Sequence, residues 1–140
     1  RGEEGRPGRM TLFRRERREK ERYRPLATVV FTVRSGRDPG RVSSPVTGDV
    51  QDVSSTGMSV VTPRLAPDGI HIMYDTLMTF RNRIDATIFP EGKPPVRVQG
   101  TVTWFRAADA QAGFYIFGMR FDQEAPSLEE LRLAARKDPG

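Results

Sequence analysis

A chain of 140 residues fits one domain with a modest core, and a hydrophobic share of 36% is low enough that part of it is expected to be loop or flexible arm. The absence of cysteine excludes disulfides and thiolate metal sites, and a single histidine excludes a zinc site. There is no apolar run long enough for a membrane-crossing helix and no signal-peptide pattern, so a reducing, cytoplasmic setting is expected. The net charge of +5 is local: residues 1–24 hold ten Lys/Arg against five Asp/Glu, and residues 25–140 hold thirteen of each. A basic arm on a neutral body suits an anionic partner such as a nucleotide, a nucleic acid or an acidic lipid surface.

Residues 1–10, rich in Gly, Arg and Glu, read as disordered, and the first residue is Arg1 rather than methionine, as expected of a domain cut from a longer protein or of foreign leading residues. Thr11 to Glu21 favours helix, which Pro25 ends at or before Arg24. The period then changes to two, with Ala27, Val29, Phe31 and Val33 on one face of a strand. Ser35 to Pro45 reads as loop, Val46 to Val53 as a second strand and Gly57 to Thr62 as a third. Residues 63–80 are the least regular part, with His71 to Tyr74 either a strand or an apolar patch; longer and more apolar than a simple link, the segment reads as an added strand or as an effector surface with His71, Tyr74 and Met78. Residues 81–89 read as a strand and Pro90 to Pro95 as a turn. Val96 to Phe105 alternates most clearly, placing Val96, Val98, Gly100, Val102 and Trp104 on the core face. Phe114 to Phe121 is the last strand, and Ser127 with Glu130 has capping-box spacing at the start of a helix that presents Leu128, Leu131 and Ala135. Five to seven short strands predict an all-β closed barrel or a sandwich, and Gly100 and Gly118 inside strands favour a tightly curved barrel.

Catalysis has little support. His71 has no nucleophile or carboxylate partner in a recognisable motif, and neither paired carboxylates nor a phosphate-binding glycine loop is present. Neither a catalytic nor a metal-binding residue is assigned, and no enzyme activity or cofactor is expected.

Binding residues are better placed. Arg18 and Arg22 stand four apart just before the first strand, and Asp52-Val53-Ser54-Ser55-Thr56-Gly57 joins the second strand to the third. A guanidinium matches phosphate bidentately, stacks on a purine and reaches guanine O6 and N7. The opposite guanine edge carries N1–H and an amine and wants a carboxylate, which Asp52 supplies. Ser54 offers a hydroxyl or a turn-stabilising bond, and Gly57 can take positive φ and let backbone approach a base. Taken alone, the Asp-Ser-Gly segment is an Asx-type turn and the arginines are a solvated charged helix.

In this order and placement the two segments resemble the PilZ domain, a bacterial receptor module for cyclic di-GMP, whose pattern is Arg-x-x-x-Arg before the first barrel strand and Asp/Asn-x-Ser-x-x-Gly after the second. The later strands, with Gly118-Met119-Arg120-Phe121, and the helix after them are similar to the end of that barrel. The resemblance implies a small six-stranded antiparallel β-barrel with a C-terminal α-helix, with residues 1–16 as a flexible basic arm and 17–140 as the domain. It also implies that Arg18 and Arg22 grip phosphates and one guanine, while Asp52, Ser54 and Gly57 meet the other. Arg17, directly before the motif, adds a cation suited to a second, intercalated cyclic di-GMP. The expected partners are thus one cyclic di-GMP or an intercalated dimer, and a downstream protein of unknown identity. The rival readings are a nucleic-acid-binding barrel, disfavoured by the neutral body, and a PilZ-like domain that binds only protein. A hydrolase using His71 ranks last.

Overall fold

The structure, a computed structural model, describes residues 25–108 and 112–137, and side chains as far as Leu133 in the terminal helix. Arg17, Arg18 and Arg22 and the helix expected over Thr11–Glu21 lie outside the described residues. Six strands, β1 (Ala27–Arg34), β2 (Val46–Val53), β3 (Gly57–Thr62), β4 (Arg83–Phe89), β5 (Val96–Ala107) and β6 (Tyr115–Phe121), are followed by a helix, α1 (Ser127–Lys137). They close into a barrel in the order β1-β2-β3-β6-β5-β4, with β4 pairing back onto β1 and every neighbour antiparallel. Closure decides between the two architectures left open by the sequence, and it leaves no sheet edge unpaired.

The alternation of β1 turns out as its sequence requires: Ala27, Val29, Phe31 and Val33 are all buried. Phe31 meets Phe117 of β6 edge-to-face, with ring centroids 5.4 Å apart, across the barrel interior. Antiparallel pairing puts the β2–β3 turn, the start of β1 and the end of β6 at one end of the barrel. That end is closed by α1, whose Leu128 is 1% exposed within the core. The expected capping box is absent. Ser127 already lies in the helix, and the first-turn N–H groups of Leu128 and Glu129 donate to the carbonyls of Ala125 and Pro126.

The other end is closed by the long β3–β4 connection, residues 63–82, which contains no strand. Pro67–Gly69 forms a single 3-10 turn, and Ile70 and Ile72 drop into the core at 3% and 0% exposure. Buried Asn82 ties the connection down: its amide donates to the His71 carbonyl (2.7 Å) and accepts from Gly36 N–H (2.9 Å), while its backbone N–H reaches Met73 (2.9 Å).

The sharpest departure is in β5. Opposite β6, Val102 pairs with Met119 but Trp104 pairs with Gly118, so a β-bulge at Thr103 interrupts the alternation. Beyond it the side chains change face. Trp104 and Phe105 are each 42% exposed, and Trp104 leaves the core position that strict alternation gave it.

Candidate functional site

A second bulge, between Val50 and Asp52 on β2, sets up the site. It keeps Val50 and Val53 inside and turns Asp52 outward opposite Ser59. Ser59 in turn pairs with Gly118, and Gly118 with Trp104. The outer surface thus carries a row, Asp52–Ser59–Gly118–Trp104, that crosses four strands. The two bulges bring a carboxylate and an indole onto one face.

Gly118 makes this row concave. A Cβ built there would lie 2.1 Å from Trp104 Nε1 and 2.4 Å from Cε2, so the indole occupies the space a side chain would fill. The result is a shallow groove of about 300 Å³ whose lining includes Asp52, Ser54, Gly57, Ser59 and Trp104. Asp52 Oδ1 accepts from Val53 N–H at 2.9 Å, and its Oδ2 has no hydrogen-bond partner among the described residues. Arg120, exposed and paired with Gly57, stands in the next row.

The turn itself is rigidly built. Ser54 N–H donates to the Gly57 carbonyl (2.8 Å), and Ser54 Oγ accepts from Thr56 N–H (3.2 Å). Ser54 therefore serves mainly as a turn builder. Gly57 corrects the sequence expectation: it is not among the positive-φ glycines, and its requirement is close approach, since a Cβ there would lie 2.5 Å from the Met119 carbonyl oxygen. From outside, the C-terminal segment clamps the turn. Glu129 Oε1 accepts from Ser55 N–H (3.2 Å), Ala125 N–H donates to the Ser55 carbonyl (2.8 Å), and Phe121 N–H donates to the Thr56 carbonyl (2.8 Å).

Of the six residues expected at the site, the structure brings Asp52, Ser54 and Gly57 to one groove, while Arg17, Arg18 and Arg22 lie outside the described residues. Sequence reasoning missed Trp104 and Ser59. No strand pattern announces them, because both depend on the register of β5 and β3 against β6.

The family model of the PilZ domain matches residues 16–135. The chain belongs to the PilZ domain family. That match takes in Arg17, Arg18 and Arg22 as well as the Asp52–Gly57 turn and α1 up to residue 135. A search of curated proteins found no match. Among solved structures, that of the Borreliella burgdorferi PlzA protein in complex with c-di-GMP aligns at a TM-score of 0.45 and 14% identity, covering 90% of this chain and 55% of that one. This PilZ chain thus spans little more than half the length of that protein. Among its described residues no helix is long and apolar enough to cross a membrane, and no group of His, Cys, Asp and Glu could hold a metal ion.

Proposed function

We propose that the chain is a cytoplasmic cyclic di-GMP receptor that binds its ligand without transforming it. The observation that carries the reading is the groove at the β2–β3 turn, in a member of the PilZ family, where an Asp52 oxygen without a partner among the described residues and the Trp104 indole line the same wall. A carboxylate oxygen with no other partner is what the N1–H and amine edge of guanine needs, and an exposed indole is a stacking surface for a base.

The arm supplies the rest of this reading. Leu26 N–H donates to the Val50 carbonyl at 2.8 Å, so the point where the arm joins the barrel is two residues from Asp52 in β2. Arg22 is three residues before Pro25, a span of at most about 11 Å. Arg18 and Arg22 then bind phosphates and a guanine, with residues 1–16 as a flexible linker ahead of a domain at 17–140. Ligand charge neutralises the arm, the arm closes on the turn, and a partner protein or neighbouring domain reads the change. Arg17 supports a second, intercalated ligand.

Calorimetric titration with cyclic di-GMP tests each part. Wild type is expected to bind, Arg22→Ala to lose affinity, and Asp52→Ala to lose the preference for cyclic di-GMP over cyclic di-AMP. Absence of heat with wild type overturns the reading, and unchanged affinity in both variants overturns the site. A stoichiometry of one ligand per chain in wild type and Arg17→Ala alike removes the role given to Arg17.

A further inference from the structure

At the barrel end opposite the Asp52–Gly57 turn, the β3–β4 connection forms one wall of a second, larger cavity of about 760 Å³. Its apolar lining includes Met73, Tyr74, Leu77, Met78 and Phe105. Leu77 and Met78 form its lip at 68% and 69% exposure, and Phe80, 44% exposed, stands next to them. Nothing in the nucleotide reading uses this surface.

Met78 is the informative residue. Its φ is +60°, the left-handed region that a long side chain adopts only at a cost. Among the described residues, the other non-glycine with positive φ, Asp68, fits that region by chemistry: its carboxylate accepts from Ser44 N–H (2.6 Å) and Oγ (2.8 Å). Met78 has no such compensation, and its side chain is exposed. The loop around it is nonetheless well fixed. Asp75 Oδ1 accepts from Thr79 and Phe80 N–H at 2.7 and 3.0 Å, and Oδ2 from Arg37 Nε at 2.8 Å. A strained, exposed methionine held on a rigid loop at the lip of an apolar cavity suits a contact surface and has no use in the fold itself.

The polar groups select the occupant. Among the described residues, the charged members of the lining are Arg37, Arg41 and Asp75, and the Asp75 carboxylate is already spent. Arg41 donates to the Asp68 carbonyl (3.0 Å), and the Asp68 carboxylate, which accepts from Ser44, feels the charges of both Arg64 and Arg41. His71 Nδ1 accepts from Met73 N–H (3.1 Å), which leaves Nε2–H as a donor without a partner among the described residues. The cavity therefore offers apolar surface, two guanidinium groups against one carboxylate in its lining, and one N–H donor without a partner among the described residues. The chain's own arm, with ten basic residues against five acidic, has the wrong sign, and a second copy would bring its own Arg41. A bilayer surface would meet Leu77 and Met78 but would leave the concave floor unfilled.

We infer that this cavity docks a short acidic–apolar segment of a partner protein, with Leu-, Phe- or Met-type anchors on the floor and an Asp or Glu against Arg41. The inference is independent of nucleotide binding. The test is to pan a random-peptide display library on the intact chain and measure synthetic versions of the enriched peptides by fluorescence anisotropy. Enriched peptides are expected to combine large apolar residues with Asp or Glu. They should lose at least about tenfold in affinity against Leu77→Ser/Met78→Asn, weaken against Arg41→Gln, and bind Asp52→Ala unchanged. Both lip residues are about two-thirds exposed, and Asn tolerates positive φ, so the double variant keeps its fold, checked by its melting curve. The inference is overturned if no peptide is enriched, if enriched peptides are basic, or if they bind the double variant as tightly as wild type. It is also overturned if vesicles of phosphatidylcholine and phosphatidylglycerol bind the chain through the same two residues while the peptides do not.

Discussion

Trp104 and Gly118 act as one unit. The indole covers Gly118, and the groove beside Asp52 has its shape only while the ring lies there. Gly118→Ala puts a methyl group 2.1 Å from Nε1, so the ring must leave. The expected cost is about 1–3 kcal/mol of stability. The emission of Trp104, the chain's single tryptophan, should shift on substitution, and cyclic di-GMP affinity should fall with it. An unchanged spectrum would show that the indole does not depend on this seat. Trp104 also marks where residue-level reading stops. Its place in the row Val96, Val98, Gly100, Val102, Trp104 is inward by alternation, and one bulged residue reverses it. A bulge belongs to a pair of strands, and the sequence of one strand does not contain it. Met78 supplies the converse prediction: Met78→Gly relieves its backbone and should stabilise the fold by about 1 kcal/mol, read as a raised melting temperature. A lowered one would show that its side chain carries packing the structure does not display.

Among the elements, β1 and the β2–β3 turn were legible because each follows a local rule. β1 is a strict period of two, and the turn is a cluster of short polar side chains ending in glycine. The β3–β4 connection was not, because Ile70 and Ile72 enter the core from irregular backbone held by Asn82, with no period to betray them. The role of α1 was legible only in part. Leu128 was expected to pack on the barrel and does, but Ser127 and Glu130 had the spacing of a capping box that does not form. Glu129 instead holds Ser55 N–H at the tip of the turn. Glu129→Gln keeps the side chain's length and an acceptor oxygen but removes the charge that strengthens this bond. Amide exchange at Ser55 should accelerate, with exchange in β1 unchanged, and cyclic di-GMP affinity should drop modestly. Equal protection at Ser55 in both proteins would separate the helix from the site.

For the whole molecule, charge and titration divide along the barrel axis. The basic arm joins at the end that carries Asp52, while among the described residues the groups whose protonation is displaced, His71, Asp75 and Asp68, sit on the β3–β4 connection at the other end. Burial holds His71 below its ordinary value of 6.5, and its Nδ1 is committed as an acceptor from Met73, a bond that protonation breaks. The unfolded chain takes up this proton near pH 6.5 and the folded chain only at lower pH, so the contribution of His71 is complete above 6.5 and is lost as pH falls toward the folded value. Asp75 is held low first by the Phe80 N–H, and Asp68 by the Ser44 N–H, both from an ordinary 3.8. Their contribution is complete above that value and is lost below it. Acid should therefore weaken the chain in two stages, the first beginning near 6.5 and the second near 3.8. His71→Gln should abolish the first stage and leave the second, as followed by urea denaturation across that range. Because Asp52 is at the opposite end of the barrel, cyclic di-GMP affinity should stay flat through the first stage. A fall in affinity that tracks the His71 titration would mean that the two ends of the barrel are coupled.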